Sequence, residues 1–175
     1  MPPSHLHVLG LSLGTVTGWF RITVPRASIF GDERPKFLTL VYDEIDGTES
    51  EQVVKIARLA RDIEGLDYKI GPAIIIEDFD PVEVDELDDL YRFRIGAMLD
   101  FVKEQTNLLS FAQLYHQNWE IASDIDDKVL RRHGMWTPEE HIRAAARQGM
   151  MILRRARRDE DLAAILWPYM AWVDD

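Results

Sequence analysis

Residues 5–20, HLHVLGLSLGTVTGWF, constrain the fold more than any other stretch of the chain. Positions 6–13 are almost wholly apolar, as in a central strand covered on both faces. Gly14-Thr15-Val16-Thr17-Gly18 reads as a tight turn, and residues 19–24 resume as a second strand that Pro25 stops. Everything downstream reads as material that folds back onto this hairpin. Residues 25–36 are polar, with Pro25, Gly31 and Pro35, and predict a loop; residues 37–42 predict a third strand, closed by 43–47.

The next signals alternate between helix and strand. Thr48 and Glu51 form a capping box, and Val53, Ile56, Ala57, Ala60 and Ile63 recur at helical spacing, so residues 51–64 predict an amphipathic helix. After Gly71-Pro72, residues 73–76 form a short apolar strand ending on Glu77, expected to lie parallel to the first because it follows a crossover helix. An acidic loop spans 81–89. A helix over 90–105 is expected to pack through Leu90, Arg94, Ala97 or Met98, and Phe101. Residues 108–115 predict a fifth strand, 116–125 an irregular stretch, and 126–132 a short helix ending at His133-Gly134. Thr137-Pro138-Glu139-Glu140 predicts a helix capped by Thr137 and running to about Arg158, with Ile142, Ala145, Ala146, Gly149, Met150 and Leu153 inward. Small residues on that stripe permit close approach to a sheet. An apolar segment over 161–172 is expected on the rim.

At 175 residues and 46% apolar content the chain predicts a single globular domain with a real core. No run approaches the roughly 18 apolar residues of a membrane span, and the start, MPPSHLH, lacks the features of a secretion signal. The absence of cysteine excludes disulfides and thiolate metal sites. A net charge of −11 argues against a general nucleic-acid binder. The charges are segregated, however: residues 77–89 are acidic, and Arg154, Arg155, Arg157 and Arg158 end a helix. Such a basic run suits a helix C-terminus, where the dipole favours it, and could also contact DNA or a protein. No phosphate-binding P-loop pattern occurs.

The element order β-β-β-α-β-α-β-α resembles that of RNase H-like nucleases. Three local patterns more specifically resemble RuvC-type Holliday junction resolvases, in particular short phage-encoded ones. They are Gly10-Leu-Ser12-Leu-Gly14-Thr-Val-Thr-Gly18-Trp19, Ile74-Ile-Ile-Glu77-Asp78-Phe79, and Leu130-Arg-Arg-His-Gly134-Met-Trp136 followed by His141-Ile-Arg-Ala144-Ala-Ala-Arg147. The resemblance implies an α/β fold with a five-stranded mixed sheet in the order 3-2-1-4-5, flanked by helices. It also implies a homodimer and Mg²⁺-dependent phosphodiester hydrolysis.

In that family four side chains hold two divalent ions, which clamp the attacking water and the leaving oxygen from about 3.5–4 Å apart. They are an aspartate on the first strand, a glutamate ending the fourth, and two residues three apart on the last helix. Glu77 matches the fourth-strand glutamate and His141 the first helical ligand. Ser12 stands where the bridging aspartate is expected and Ala144 where the second helical aspartate is expected. The resemblance thus implies that Glu77 and His141 are relic catalytic and metal positions. Substitute carboxylates among Asp78, Asp80, Asp124, Asp126 and Asp127 are conceivable, although strand alternation turns Asp78 away from Glu77.

The resemblance and its gaps together imply a non-catalytic protein without a cofactor, kept for binding or assembly. It would serve as a phage structural or DNA-processing component, in the cytoplasm of an infected host or in the virion. A protein partner or self-association is expected rather than tight DNA binding. Trp and Met residues near the C-terminus suit such an interface if exposed. The alternative is an active Holliday junction endonuclease using substitute carboxylates, Mg²⁺ and branched DNA. A third reading, from the acidic surface, is a DNA-mimicking inhibitor.

Overall fold

The computed structural model describes residues 5–31, 36–63, 66, 70–79 and 86–168. Its centre is one five-stranded sheet in the order β3-β2-β1-β4-β5. Strand β1 (His5–Ser12) pairs antiparallel with β2 (Thr17–Pro25), from His5 opposite Pro25 to Ser12 opposite Gly18. On its other edge β1 runs parallel to β4 (Ala73–Glu77), with Gly10 opposite Ile75. Strand β3 (Thr39–Ile45) extends the antiparallel side and β5 (Gln113–Gln117) the parallel side. The expected α/β sheet order and the parallel β1–β4 pair are therefore present.

Helices cover both faces. Side chains alternate along a strand, so Leu6 and Val8 of β1 point to one layer while Leu9 and Leu11 point to the other. The first layer is built on α6 (Glu140–Ala156), with α7 (Glu160–Leu166) beside it, and includes Ile142, Ala145, Met150 and Leu166. The second is built on α2 (Glu49–Arg61) and α3 (Leu87–Gln105) and includes Val53, Ile56, Ile95 and Leu99. Full burial of each such aliphatic side chain contributes roughly 1.5–3 kcal/mol.

Helix α6 lies directly on β1 and β2. A Cβ on Gly10 would collide with the Ala145 carbonyl and come within 2.9 Å of the Gly149 amide nitrogen, and one on Gly18 would enter the His141 backbone. The small-residue stripe predicted for α6 thus meets glycines on the sheet. Gly18 is required by this helix contact, within β2, rather than by the tight turn expected from the sequence.

Several boundaries differ from expectation. The polar 25–36 stretch contains a one-turn helix, α1 (Ala27–Phe30). Strand β3 starts later and runs through 43–45, because it pairs with β2 from Thr39 opposite Thr23 to Ile45 opposite Thr17. Helix α3 turns Ile95 and Leu99 inward and leaves Phe101 62% exposed, so the expected stripe is rotated. Strand β5 begins at Gln113, not 108; Leu109 and Ala112 are buried in the preceding turns, so their apolar character reports burial and not extension.

The stretch expected to be irregular after β5 carries α4 (Trp119–Ser123), capped by Asn118, whose Oδ1 accepts from the Glu120 amide at 2.7 Å. Helix α5 (Asp127–Arg132) follows, capped by Asp126. Helix α6 starts at Glu140, not on Thr137, and has no side-chain cap; Thr137 is buried and its hydroxyl donates to the Glu139 carbonyl at 3.2 Å. It also ends two residues short of Arg158. Near the C-terminus, Trp167 is buried in the core rather than presented at a surface; Met170 and Trp172 lie outside the described residues. No helix among the described residues is long and apolar enough to cross a membrane.

Candidate functional site

The alternation that sorts the core also places the site. Positions 6, 8, 10 and 12 of β1 face α6, so Ser12 does too; Ala73 and Ile75 of β4 share that face, so Glu77 follows them. Both residues end their strands at the same edge of the sheet, beneath the first turns of α6. There a cleft of about 350 Å³ is lined by Ser12, Glu77, Asp88, Arg92, Trp119, Glu140, His141, Ala144 and Arg147. All four positions matched from the sequence, 12, 77, 141 and 144, meet in it.

The turn after β1 is held from below. Buried Gln52 of α2 donates through Nε2 to the carbonyls of Gly14, Thr15 and Gly47 at 3.1–3.2 Å, and its Oε1 accepts from the Thr17 hydroxyl at 2.6 Å. From α3, Asp88 Oδ1 accepts from the Thr15 amide at 2.7 Å and from its hydroxyl at 2.9 Å. This brings a carboxylate against the turn that follows Ser12.

Arg92 is the organising charge of the cleft. Its Nη1 lies 3.5 Å from Glu77 Oε2 and 3.8 Å from Asp89 Oδ1, and its Nη2 lies 3.6 Å from Asp88 Oδ2. Its Nε donates to the Leu13 carbonyl at 3.2 Å, and the guanidinium sits 5.5 Å from the centre of the Phe79 ring. Burial pushes the Glu77 carboxyl above the usual range; Arg92 draws it back, and Asp89 adds to the rise. A half-buried carboxylate that needs a cation is here given an internal one.

The other acids are placed elsewhere. Asp78 is exposed beyond β4 and does not line the cleft. Asp126 caps α5 by accepting from the Val129 amide at 2.8 Å. Asp127 is bound to Arg147 and Trp136, with Arg143 3.7 Å away, and Trp136 heads the causes that hold its carboxyl below the usual range. Asp124 lines a different cleft. Asp80 lies outside the described residues. Among the described residues, no three His, Asp or Glu side chains are gathered as a metal cage.

Asp88, Arg92 and Glu140 were not read as site residues from the sequence, where Glu140 figured only in the expected helix cap. The only advance signal was the acidic run ahead of α3, whose first turn delivers Asp88, with Arg92 four residues on.

Neither a known protein-family model nor a curated protein matches the chain. Solved structures do. The Thermus thermophilus RuvC structure superposes with a TM-score of 0.59 at 13% identity, covering 87% of this chain and 96% of that one. T. thermophilus RuvC in complex with Holliday junction substrate gives a TM-score of 0.56 at 12% identity over the same shares. With its sheet order and its two helical layers, this chain has the RuvC-like, RNase H-like fold.

Proposed function

We propose that this protein is a RuvC-like scaffold that binds without cutting, its two-ion centre replaced by an internal ion pair. The observation that carries this reading is Arg92 Nη1 at 3.5 Å from Glu77 Oε2. Mg²⁺ takes hard anionic oxygens and octahedral geometry. The donor set does not fit a pair of such ions: Glu77 is already paired, Ser12 is neutral, Ala144 offers no donor, and a guanidinium stands among the carboxylates. From α6 the cleft receives His141 and Glu140, with Arg147 as a second cation on that side.

Retention for binding or assembly is supported by two features. The fold is shared with a protein solved on a Holliday junction, so branched DNA is a candidate ligand to be held rather than hydrolysed. Helix α3 also exposes Leu87, Phe93 and Phe101, apolar side chains that a protein partner or a second copy could cover. A phage particle or phage DNA-processing complex is the setting that the resemblance in sequence suggests.

A second reading has its own observation. Asp88 and Glu140 are carboxylates in the cleft, and an active endonuclease could use them in place of the missing aspartates. Cleavage of four-way junctions with Mg²⁺ or Mn²⁺ separates the two. The expected result is no cutting by the wild type and cutting by Ser12→Asp/Ala144→Asp/Arg92→Ala. Wild-type cutting that Glu77→Ala and Asp88→Asn each abolish would overturn the proposal in favour of the second reading.

A further inference from the structure

At the far end of α6 lies a second and larger cleft, of about 820 Å³. His141 to Arg154 spans thirteen residues, so the two clefts are separated by about 20 Å along the helix. Its walls carry Arg154, Arg155, Arg157 and Arg158 against two acids, Asp124 and Asp159. This concentration of positive charge sits in a chain of net charge −11.

The arginines are not equally committed. Arg155 is held by Gln117 Oε1 and the Tyr115 hydroxyl, each at 3.4 Å. Among the described residues, Arg154, Arg157 and Arg158 have no ion pair and no side-chain hydrogen bond, and Arg157 Nη1 is sealed from solvent without an acceptor. Asp159 is engaged elsewhere, since its Oδ1 accepts from the Leu162 amide at 3.0 Å as the cap of α7. The helix dipole accounts for arginines gathering at this terminus. It does not account for three guanidinium groups at one cleft that have no acidic partner among the described residues.

The floor of the cleft is apolar: Val24, Ile29, Phe37, Met150 and Leu153 line it. The Phe37 ring stands edge-on to the His133 imidazole with centroids 5.3 Å apart. Thioethers and ring edges are good partners for a flat heteroaromatic group. The volume is within the roughly 300–1,000 Å³ typical of small-molecule sites.

We propose that this cleft binds a nucleoside monophosphate, its phosphate on Arg154, Arg157 and Arg158 and its base on the floor near Phe37 and Met150. Guanidinium forks match phosphate oxygens bidentately; the exposed Arg154 and Arg158 are free to do so, and Arg157 adds the nitrogens other than its sealed Nη1. The same chemistry could be presented by a free nucleotide or by the 5′-phosphate end of a DNA strand. Burial, with Arg154 and Arg132 nearby, lowers the His133 pKa below its ordinary value.

The test is calorimetric titration of the whole chain at low ionic strength with dAMP, deoxyadenosine, inorganic phosphate, and a short oligonucleotide with or without a 5′-phosphate. The expected result is binding of dAMP, weaker binding of phosphate and none of deoxyadenosine. Affinity should fall roughly tenfold in Arg157→Gln and in Arg154→Gln, the scale of one lost charge-assisted pair. Arg154 is exposed, so its variant keeps the test valid should Arg157→Gln fail to fold. Glu77→Gln, in the other cleft, should bind dAMP as the wild type does.

Preference of the phosphorylated over the unphosphorylated oligonucleotide would assign the strand end as the source; dAMP binding alone would assign the free nucleotide. Absence of dAMP binding to folded protein, equal affinity for inorganic phosphate, or equal weakening in Glu77→Gln overturns the proposal. These outcomes are independent of whether the other cleft cuts DNA.

Discussion

His7 is a buried imidazole on β1, and the fold selects its neutral form. Burial, then Arg21 across the strand pair, then His5, lower its pKa from 6.5 to about 4. Its Nδ1 lies 3.1 Å from the Thr23 hydroxyl, a contact the neutral ring can make. Between pH 4 and 6.5 the unfolded chain binds a proton at this position that the folded chain refuses. The stability tied to His7 is therefore fully present above pH 6.5 and is lost as pH falls towards 4, by up to roughly 3 kcal/mol. Urea unfolding of the wild type and of His7→Gln at pH 7 and pH 4.5 checks this. The variant should lose distinctly less stability on acidification, and parallel losses would refute the assignment. The same scale shows what a sequence can and cannot disclose. Ser12 and Glu77 were legible because strand alternation fixes their faces from a run of apolar neighbours. Arg92 was not, because its partners Glu77 and Leu13 are 15 and 79 positions away and meet it only after α3 packs.

Helix α6 and strand β1 touch backbone to backbone, which makes the contact unusually intolerant of a methyl group. At Gly10 an added Cβ meets the Ala145 carbonyl, and no rotamer change relieves a clash with main chain. Gly10→Ala should cost about 1–3 kcal/mol, the usual range for overpacking a filled core. In a domain of this size each kcal/mol lowers Tm by roughly 2–4 °C. Gly96→Ala, inside α3, is the contrasting case. Its Cβ would find only Leu13 Cδ1 at 3.8 Å and Ile76 Cδ1 at 3.9 Å, ordinary van der Waals contact. Helix propensity then favours alanine by up to about 1 kcal/mol. Calorimetric scans should show Tm falling for Gly10→Ala and rising for Gly96→Ala; a fall in both would mean that α3 is packed more tightly than these distances allow. Element type was legible wherever a helical stripe or a cap lay in the chain itself, as in α2, whose Thr48–Glu51 capping box is present at 3.4 and 2.8 Å. It was misread at Leu109, which tertiary contact buries in a turn; elsewhere the facing was misread, with Phe101 exposed on α3 and Thr137 buried just ahead of α6.

Considered as a whole, the molecule has two clefts of opposite charge character at the two ends of one helix. The first gathers Glu77 and Asp88 around Arg92, with Glu140 also in its lining, and the second collects arginines. Binding of a cation to the folded chain alone would raise its stability by RT ln(1 + [L]/Kd), about 2.7 kcal/mol at a hundredfold excess over Kd. The wild type has its cation built in, so millimolar Mg²⁺ should shift its Tm no more than monovalent salt of matched ionic strength, which controls for general screening of a chain carrying −11. In Ser12→Asp/Ala144→Asp/Arg92→Ala the logic reverses. New carboxylates crowd Glu77 without the Arg92 counter-charge, so the metal-free variant should unfold at a lower temperature than the wild type, and Mg²⁺ should restore it in a saturable way. Differential scanning calorimetry across a Mg²⁺ series measures both. A saturable, Mg²⁺-specific rise in the wild type would mean that Arg92 yields its place to a metal, and the binding-only reading of the first cleft would fall while the nucleotide reading of the second stood unaffected.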